Sequence, residues 1–461
     1  MSALKYILLA TVFAATASHA QQTPPPAAEP RPFQLPTPTR MSLPNGVDVT
    51  FVEFGVVPKV SIAIAVRSGN LNEGDKTWLA DLTGDLLKEG TQNRTAEQIA
   101  EEANQMGGNL SVGVSPDVTS LELDVLSEYG ADAVGLLADV LTHPKLPESE
   151  LPRLKQNYLR NLSVALTQPQ AIAGAAMSDL LYPDHPYGIS FPTAEALSAY
   201  SIDDVRNYYE SNFGARRTHI YVAGKYDRSV IEKAIRDSFG DWREGPEVLK
   251  LPPPDARART VKLIDRPGAP QSTLRVGKRV IDVTQPDFMA LSVTNSLLGG
   301  VLTSRITMNL REVKGWAYSP GSSLGTYYHQ ATWIENADVR SDATGPALTE
   351  VFKEIDLLRK EAPTQPELTA IKNYRNGTFV MGTATRGGLI AQLSFMDVQG
   401  LPDDWLTTFP QRLYAVTADE VTQAARKHLD PGQMSVVVVG DLATVRKQVE
   451  AVAPLKGVIE K

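Results

Sequence analysis

The chain reads as an α+β protein made of two copies of one domain. Three observations lead to that class. Its 461 residues exceed the length of one ordinary domain. Segments with period-two apolar alternation, such as Val47, Val49 and Phe51 in "SLPNGVDVTFVE", share the chain with segments of helical apolar spacing, such as "YGADAVGLLADVLTH". Finally, "SIDDVRNYYESNFGARRTHIYVAGKYDRSVIEKAI" is echoed by "TADEVTQAARKHLDPGQMSVVVVGDLATVRKQV". Gly224 then matches Gly440 and Asp204 matches Glu420, each pair 216 positions apart. "ELPRLKQNYLRN" returns as "ELTAIKNYRNG" at nearly the same offset. A period this long marks a duplicated domain and not a solenoid.

The elements follow in order. Residues 1–20, "MSALKYILLATVFAATASHA", read as a secretory signal: Lys5, an apolar run from Ile7 to Ala17, and small Ser18 and Ala20 before the cut. The apolar run is short for a membrane anchor. Residues 21–40 form a proline-rich, extended linker. The N-terminal domain, 41–245, opens with the tight-turn pair Asn45-Gly46 and the strand behind it. "KVSIAIAVRSG" is a second strand. A helix over Trp78–Leu87 and one around "TAEQIAEEANQMG" follow. "NLSVGVSPDVTSLELDVLSE" supplies two more strands. A long helix starts at Pro147 and Glu148, "THIYVAGKYD" is a strand and "RSVIEKAIRDSFGDW" a helix. Pro252, Pro253 and Pro254 lie in a linker, 246–258, before the C-terminal domain, 259–461.

Composition narrows the function. With 42% hydrophobic residues the chain can bury sizeable cores. Losing Lys5 with the signal takes the formal charge from -8 to -9, which argues against nucleic acid as a partner. No other run approaches membrane length, so no membrane span is expected in the mature chain. There is no cysteine, hence no disulfide, thiolate site or lipidation anchor. Export without such an anchor implies the periplasm or secretion after cleavage near Ala20.

Histidine is scarce. The six are His19, His143, His185, His219, His329 and His428, and no two lie within one helical turn. A catalytic zinc normally needs three protein ligands and an open position for water. No local constellation here supplies them, and no Gly-x-Ser-x-Gly elbow, P-loop or dinucleotide fingerprint exists. His185, between Pro183 and Pro186 in "YPDHPYG", reads as a loop-packing residue.

"SLPNGVDVTFVE", the segment ending "LLKEGT", "HPYG", "IYVAGKYD" and "NLREVKGWAYSP" occur in an order and spacing that resembles the pitrilysin/insulinase family of inverted zinc metallopeptidases. The resemblance runs from about Ser42 to the C-terminus. It implies two homologous α+β domains, each a mostly antiparallel sheet with helices packed on one face, together half of a clam-shell. Active members carry His-x-x-Glu-His on the first helix: two histidines hold zinc and the glutamate activates its water. The matching positions here are Asp81, Gly84 and Asp85, and the third ligand's position falls at about Asn161. All four are replaced. Asp81 and Asp85 share a helix face and could weakly hold a hard cation, against the plainer reading of a capped or solvated helix. A cation there would still lack a base at Gly84.

By contrast, "LREVKGWAYSP" keeps the family's pattern. The resemblance implies that Arg311 and Tyr318 hold substrate backbone and stabilise charge on the scissile carbonyl, facing a zinc held by another subunit. Arginine offers a permanently charged fork of donors and tyrosine one directed donor. The alternative is that Arg311 pairs with Glu312 and Tyr318 is core. The expectation is a non-catalytic, pseudoenzyme subunit of a heterodimeric zinc peptidase, inactive alone. It binds no cofactor itself, the partner brings zinc, and the substrates are unfolded peptides. A scaffold or peptide-binding protein of the same fold is the competing expectation.

Overall fold

The computed structural model describes residues 34–256 and 258–459, and the described residues from Leu35 onward form one compact unit. The signal assigned to residues 1–20 lies outside the described residues. The linker assigned to 21–40 ends sooner than expected: Thr39 and Arg40 already belong to the first strand, β1 (Thr39–Ser42), which pairs antiparallel with β2 (Asp48–Glu53). Asn45-Gly46 makes the turn between them, with Gly46 at φ 100°.

The N-terminal half continues with β3 (Lys59–Val66), α1 (Leu79–Leu87), α2 (Ala96–Gln105), β4 (Ser111–Val114) and β5 (Thr119–Leu126). Helices α3 (Gly130–Thr142), α4 (Leu151–Ala165), α5 (Pro169–Leu181), α6 (Ala194–Ala199) and α7 (Ile202–Asn212) precede β6 (Thr218–Gly224) and α8 (Arg228–Phe239). The C-terminal half begins with β7 (Val261–Asp265), β8 (Gln271–Val280) and α9 (Phe288–Asn295), then β9 (Gly321–Tyr327) and β10 (Gln330–Arg340). Helices α10 (Thr344–Lys360), α11 (Gln365–Thr383), α12 (Arg386–Gln399), α13 (Phe409–Ala415) and α14 (Ala418–His428) lead to β11 (Ser435–Gly440) and α15 (Leu442–Ala451).

The duplication is visible in the topology. The first sheet runs β1-β2-β6-β3-β5-β4 and the second β7-β11-β8-β10-β9. In each, one parallel pair (β2 with β6, β7 with β11) joins an otherwise antiparallel meander. Asp204 and Glu420, matched by sequence, do the same work. Each closes a capping box, with Ser201 on α7 and with Thr417 on α14. Lys155 of α4 donates to the carbonyl of Tyr200, and Lys372 of α11 to the carbonyl of Tyr414, both at 2.8 Å.

Each sheet packs its own half's helices on one face, as expected. Val49, Phe51, Ile62, Ile64 and Leu121 face the first core; Leu274, Val276, Trp333, Val436 and Val438 face the second. The opposite faces hold a feature absent from the sequence reading: the halves exchange helices. Val52, Ala63, Ala65, Tyr221 and Ala223 of the first sheet pack on Leu389, Ile390, Leu393 and Met396 of α12. Val437 and Val439 of the second pack with Ala173, Met177 and Leu180 of α5. Small residues on β3 and β6 let α12 approach closely. The run "VVVV" of β11 is buried on both faces, the pattern of an interior strand.

Candidate functional site

The turn that bears Asp81, Gly84 and Asp85 is fixed from in front. Trp78, just before α1, takes a left-handed φ of 70°. Glu73 turns back beneath it, and its carboxylate accepts the backbone N–H groups of Trp78 and Ala80, each at 3.0 Å. An acid at a helix N-terminus satisfies donors that have no intrahelical acceptor. Glu73 is only 9% exposed. Burial pushes its carboxyl up to about 7, against the pull of those N–H groups and of Asn70, with Asp81 adding repulsion.

The two aspartates of α1 have separate partners. Asn70 Nδ2 donates to Asp81 Oδ2 at 2.7 Å. Burial raises the Asp81 carboxyl above its usual range, Asn70 opposes this, and the charge of Asp85 adds to it. Asp85 accepts from Lys88 Nζ and from Tyr158 Oη, both at 2.8 Å. Tyr158 lies on α4, with its ring 5.9 Å from that of Trp78. Burial, then the Asp85 charge, raises the Tyr158 hydroxyl's pKa, so it stays a donor. The α4 residue that reaches α1 is therefore Tyr158 and not Asn161, which is exposed one turn further on. Of the two aspartates, Asp81 is held by Asn70 of the preceding loop, while Asp85 keeps 34% of its side chain exposed, as the solvated-helix reading expects. A cavity of about 280 Å³ beside Asp81 is lined by Asn70, Glu73, Trp78 and Tyr187.

His185 is the loop-packing residue its flanking prolines suggested. It is 3% exposed, its Nδ1 accepts from the Tyr187 N–H, and its Nε2 donates to the Leu251 carbonyl at 3.0 Å.

Arg311 and Tyr318 lie together. After Gly300 the chain re-enters a helix over Arg305–Thr307 that widens to a π-turn over Met308–Val313, and Gly315, at φ 62°, ends it. The Arg311 guanidinium sits 5.1 Å from the centre of the Tyr318 ring and pairs with Glu312 at 3.1 Å. Tyr318 is 80% exposed, so it is not a core residue.

Comparison with known proteins places this arrangement. The sequence profile of the insulinase family (peptidase family M16) matches residues 54–192, and that of the peptidase M16 inactive domain matches 199–374. The chain belongs to the insulinase family. Among curated relatives, the uncharacterized zinc protease YmxG of Bacillus subtilis is 25% identical over 344 residues, covering 74% of this chain and 83% of its own. An uncharacterized zinc protease of Mycobacterium leprae is 23% identical over 397 residues, covering 85% and 89%. Among solved structures, a peptidase M16 inactive domain from Pseudomonas fluorescens superposes with a TM-score of 0.83 at 25% identity, over 88% of this chain and 98% of that one. The periplasmic protease PqqL of Escherichia coli gives a TM-score of 0.77 at 16% identity, over 92% of this chain and 47% of that one.

The residues present do not fit the zinc that the family implies. Neither aspartate offers a free pair of oxygens, and the Lys88 ammonium on Asp85 would stand beside any cation there. A Cβ at Gly84 would come within 2.8 Å of Val114 Cγ2 on β4, so a larger residue at the base position requires the Val114 side chain to shift. Sequence reasoning missed Glu73, Asn70 and Tyr158. An acid in the loop before a helix was the available signal for Glu73; Tyr158 carried none.

Proposed function

We propose that this chain is the non-catalytic subunit of a heterodimeric zinc peptidase of the periplasm, giving Arg311 and Tyr318 to a chamber whose zinc belongs to a homologous partner. The observation that carries the reading is the exposure of Tyr318 with Arg311 stacked on it. A tyrosine at 80% exposure contributes little to its own fold. The Arg311–Glu312 pair is partly open to solvent, with Glu312 at 55%, and such pairs are weak. Arg311 can thus leave Glu312 for a peptide carbonyl or carboxylate without unfolding anything.

The occupied carboxylates on α1 support the same reading, because a chain without a metal site needs another source of zinc to take part in hydrolysis. The signal-like N-terminus and a periplasmic structural neighbour support export. Substrates are unfolded peptides.

The test is peptidase activity on an unstructured peptide, with zinc, for this chain, for the partner, and for the mixture. Activity in the mixture well above that of the partner, lost on Arg311→Ala or Tyr318→Phe, is the expected result. Activity no greater than the partner's would leave a scaffold. Full activity in this chain alone would refute the reading of α1.

A further inference from the structure

The C-terminal half holds a cleft of about 1210 Å³ at the pseudo-symmetric counterpart of the α1 turn. The correspondence rests on side chains. Lys155 and Lys372 hold equivalent carbonyls, and one turn beyond each lies a residue reaching the first helix of its half: Tyr158 to Asp85, Arg375 to Ser296. Ser296 opens a π-turn, Ser296–Gly300, that continues α9. Its Gly299 and Gly300 lie so close to Ser322 and Asn295 that a Cβ on either would collide. Of the two, Gly300 lines the cleft.

Three features of the lining define a ligand. First, Arg375 is a cation without an anion. It donates to Ser296 Oγ at 2.9 Å, but its Nε is sealed from solvent with no hydrogen-bond partner. No carboxylate among the described residues pairs with it. Burial alone pushes its guanidinium down to about 10, so it remains charged at neutral pH. Of the other charged residues in the lining, Arg412 and Glu420 have partners within the chain and Asp404 is exposed. Arg412 lies near Asp404 and donates to the Trp405 carbonyl, and Glu420 is held by the Thr417 N–H. Glu335, opposite Ser322 in the β9–β10 register, is fully buried, and burial drives its carboxyl well above the usual carboxylate range.

Second, β9 is the end strand of its sheet among the described residues, and Ser323, Leu324 and Thr326 of it line the cleft. An edge strand has unpaired backbone groups that an extended chain can meet. Third, Phe395, Trp405 and Phe409 form an aromatic wall, with Trp405 and Phe409 centred 6.1 Å apart.

We propose that this cleft is a peptide C-terminus site: Arg375 takes the free carboxylate, β9 takes the backbone, and the aromatic wall takes an apolar last side chain. The charge of Arg375 excludes the ammonium end of a peptide. The site belongs to this chain alone and needs no partner subunit, so it stands or falls separately from the heterodimer.

The test is calorimetric titration of the full mature chain with acetyl-trialanyl-phenylalanine as the free acid and as the amide, and with dodecanoate. The acid should bind at least about tenfold more tightly than the amide, the margin of a charge-assisted hydrogen bond. Arg375→Met should abolish that difference and Arg375→Lys should keep part of it. Equal binding of acid and amide, or no binding of either, would overturn the proposal. Binding of dodecanoate without the peptide acid would overturn the peptide assignment. The acid–amide comparison uses the unaltered chain, so it decides the matter even where a variant fails to fold.

Discussion

Glu73→Gln should change how stability depends on pH, with a sign opposite to that of most carboxylates. Glu73 is held in the loop under α1, and burial raises its carboxyl from 4.5 to about 7. A group with a raised folded pKa binds its proton more tightly in the folded chain. Its contribution is therefore favourable below about pH 4.5 and is lost as pH rises through about 7. The full gap is worth about 3.4 kcal/mol, of which about 2.5 kcal/mol is lost between pH 5 and pH 8. Gln has no such titration. Urea unfolding of wild type and Glu73→Gln at pH 5 and pH 8 isolates the effect as a difference of differences. Acids that do not interact with Glu73 drop out of that difference, whereas Asp81, which repels it, is coupled to it. Burial also raises Asp124 and Asp139, but Lys59, Ser61 and Arg386 on one, and Thr91, Asn93 and Arg94 on the other, outweigh it and hold both low. Their stability is lost as pH falls, equally in both proteins. The variant should gain about 2.5 kcal/mol on wild type from pH 5 to pH 8. A gain under about 0.5 kcal/mol would mean that the two helix N–H groups outweigh burial and Glu73 is already an anion at pH 5.

Further outcomes are expected. Leu393→Ala, at a site 2% exposed where α12 meets the first sheet, should cost about 2–5 kcal/mol in urea unfolding; under about 1 kcal/mol would show that this contact between halves carries little. Arg311→Ala and Tyr318→Phe should leave stability within about 0.5 kcal/mol of wild type while removing the activity gained on mixing with a zinc-bearing partner. Equilibrium dialysis against zinc should leave the chain metal-free and its melting temperature unchanged; a stoichiometric site would contradict the occupancy of Asp81 and Asp85 by Asn70, Lys88 and Tyr158. N-terminal sequencing of exported protein should begin at Gln21.

Much of the fold was legible because it is written in local periods. Alternation in "DVTFVE" and "TSLELDVL" fixes strands, and the spacing of Ser201 to Asp204 and of Thr417 to Glu420 fixes two helix starts 216 residues apart. The loss of histidines from α1 was legible for the same reason: Asp81 and Asp85 are one turn apart on one helix. Asp85 and Tyr158 are 73 residues apart, with several elements between them, and spacing carried over from a family placed the third position one turn away from Tyr158, the residue that makes the contact.

The sequence alone determined the two α+β copies, the absence of thiols and the missing zinc motif. These are properties of neighbouring residues or of composition. Only the tertiary structure decided the exchange of α5 and α12 between halves, the trapping of Glu73 under α1, the engagement of Asp85 by Tyr158, and the unpaired Arg375 in its cleft. Each joins groups far apart in the chain, where the energy lies in desolvation and shape, and neither leaves a periodic mark on the residues that create it.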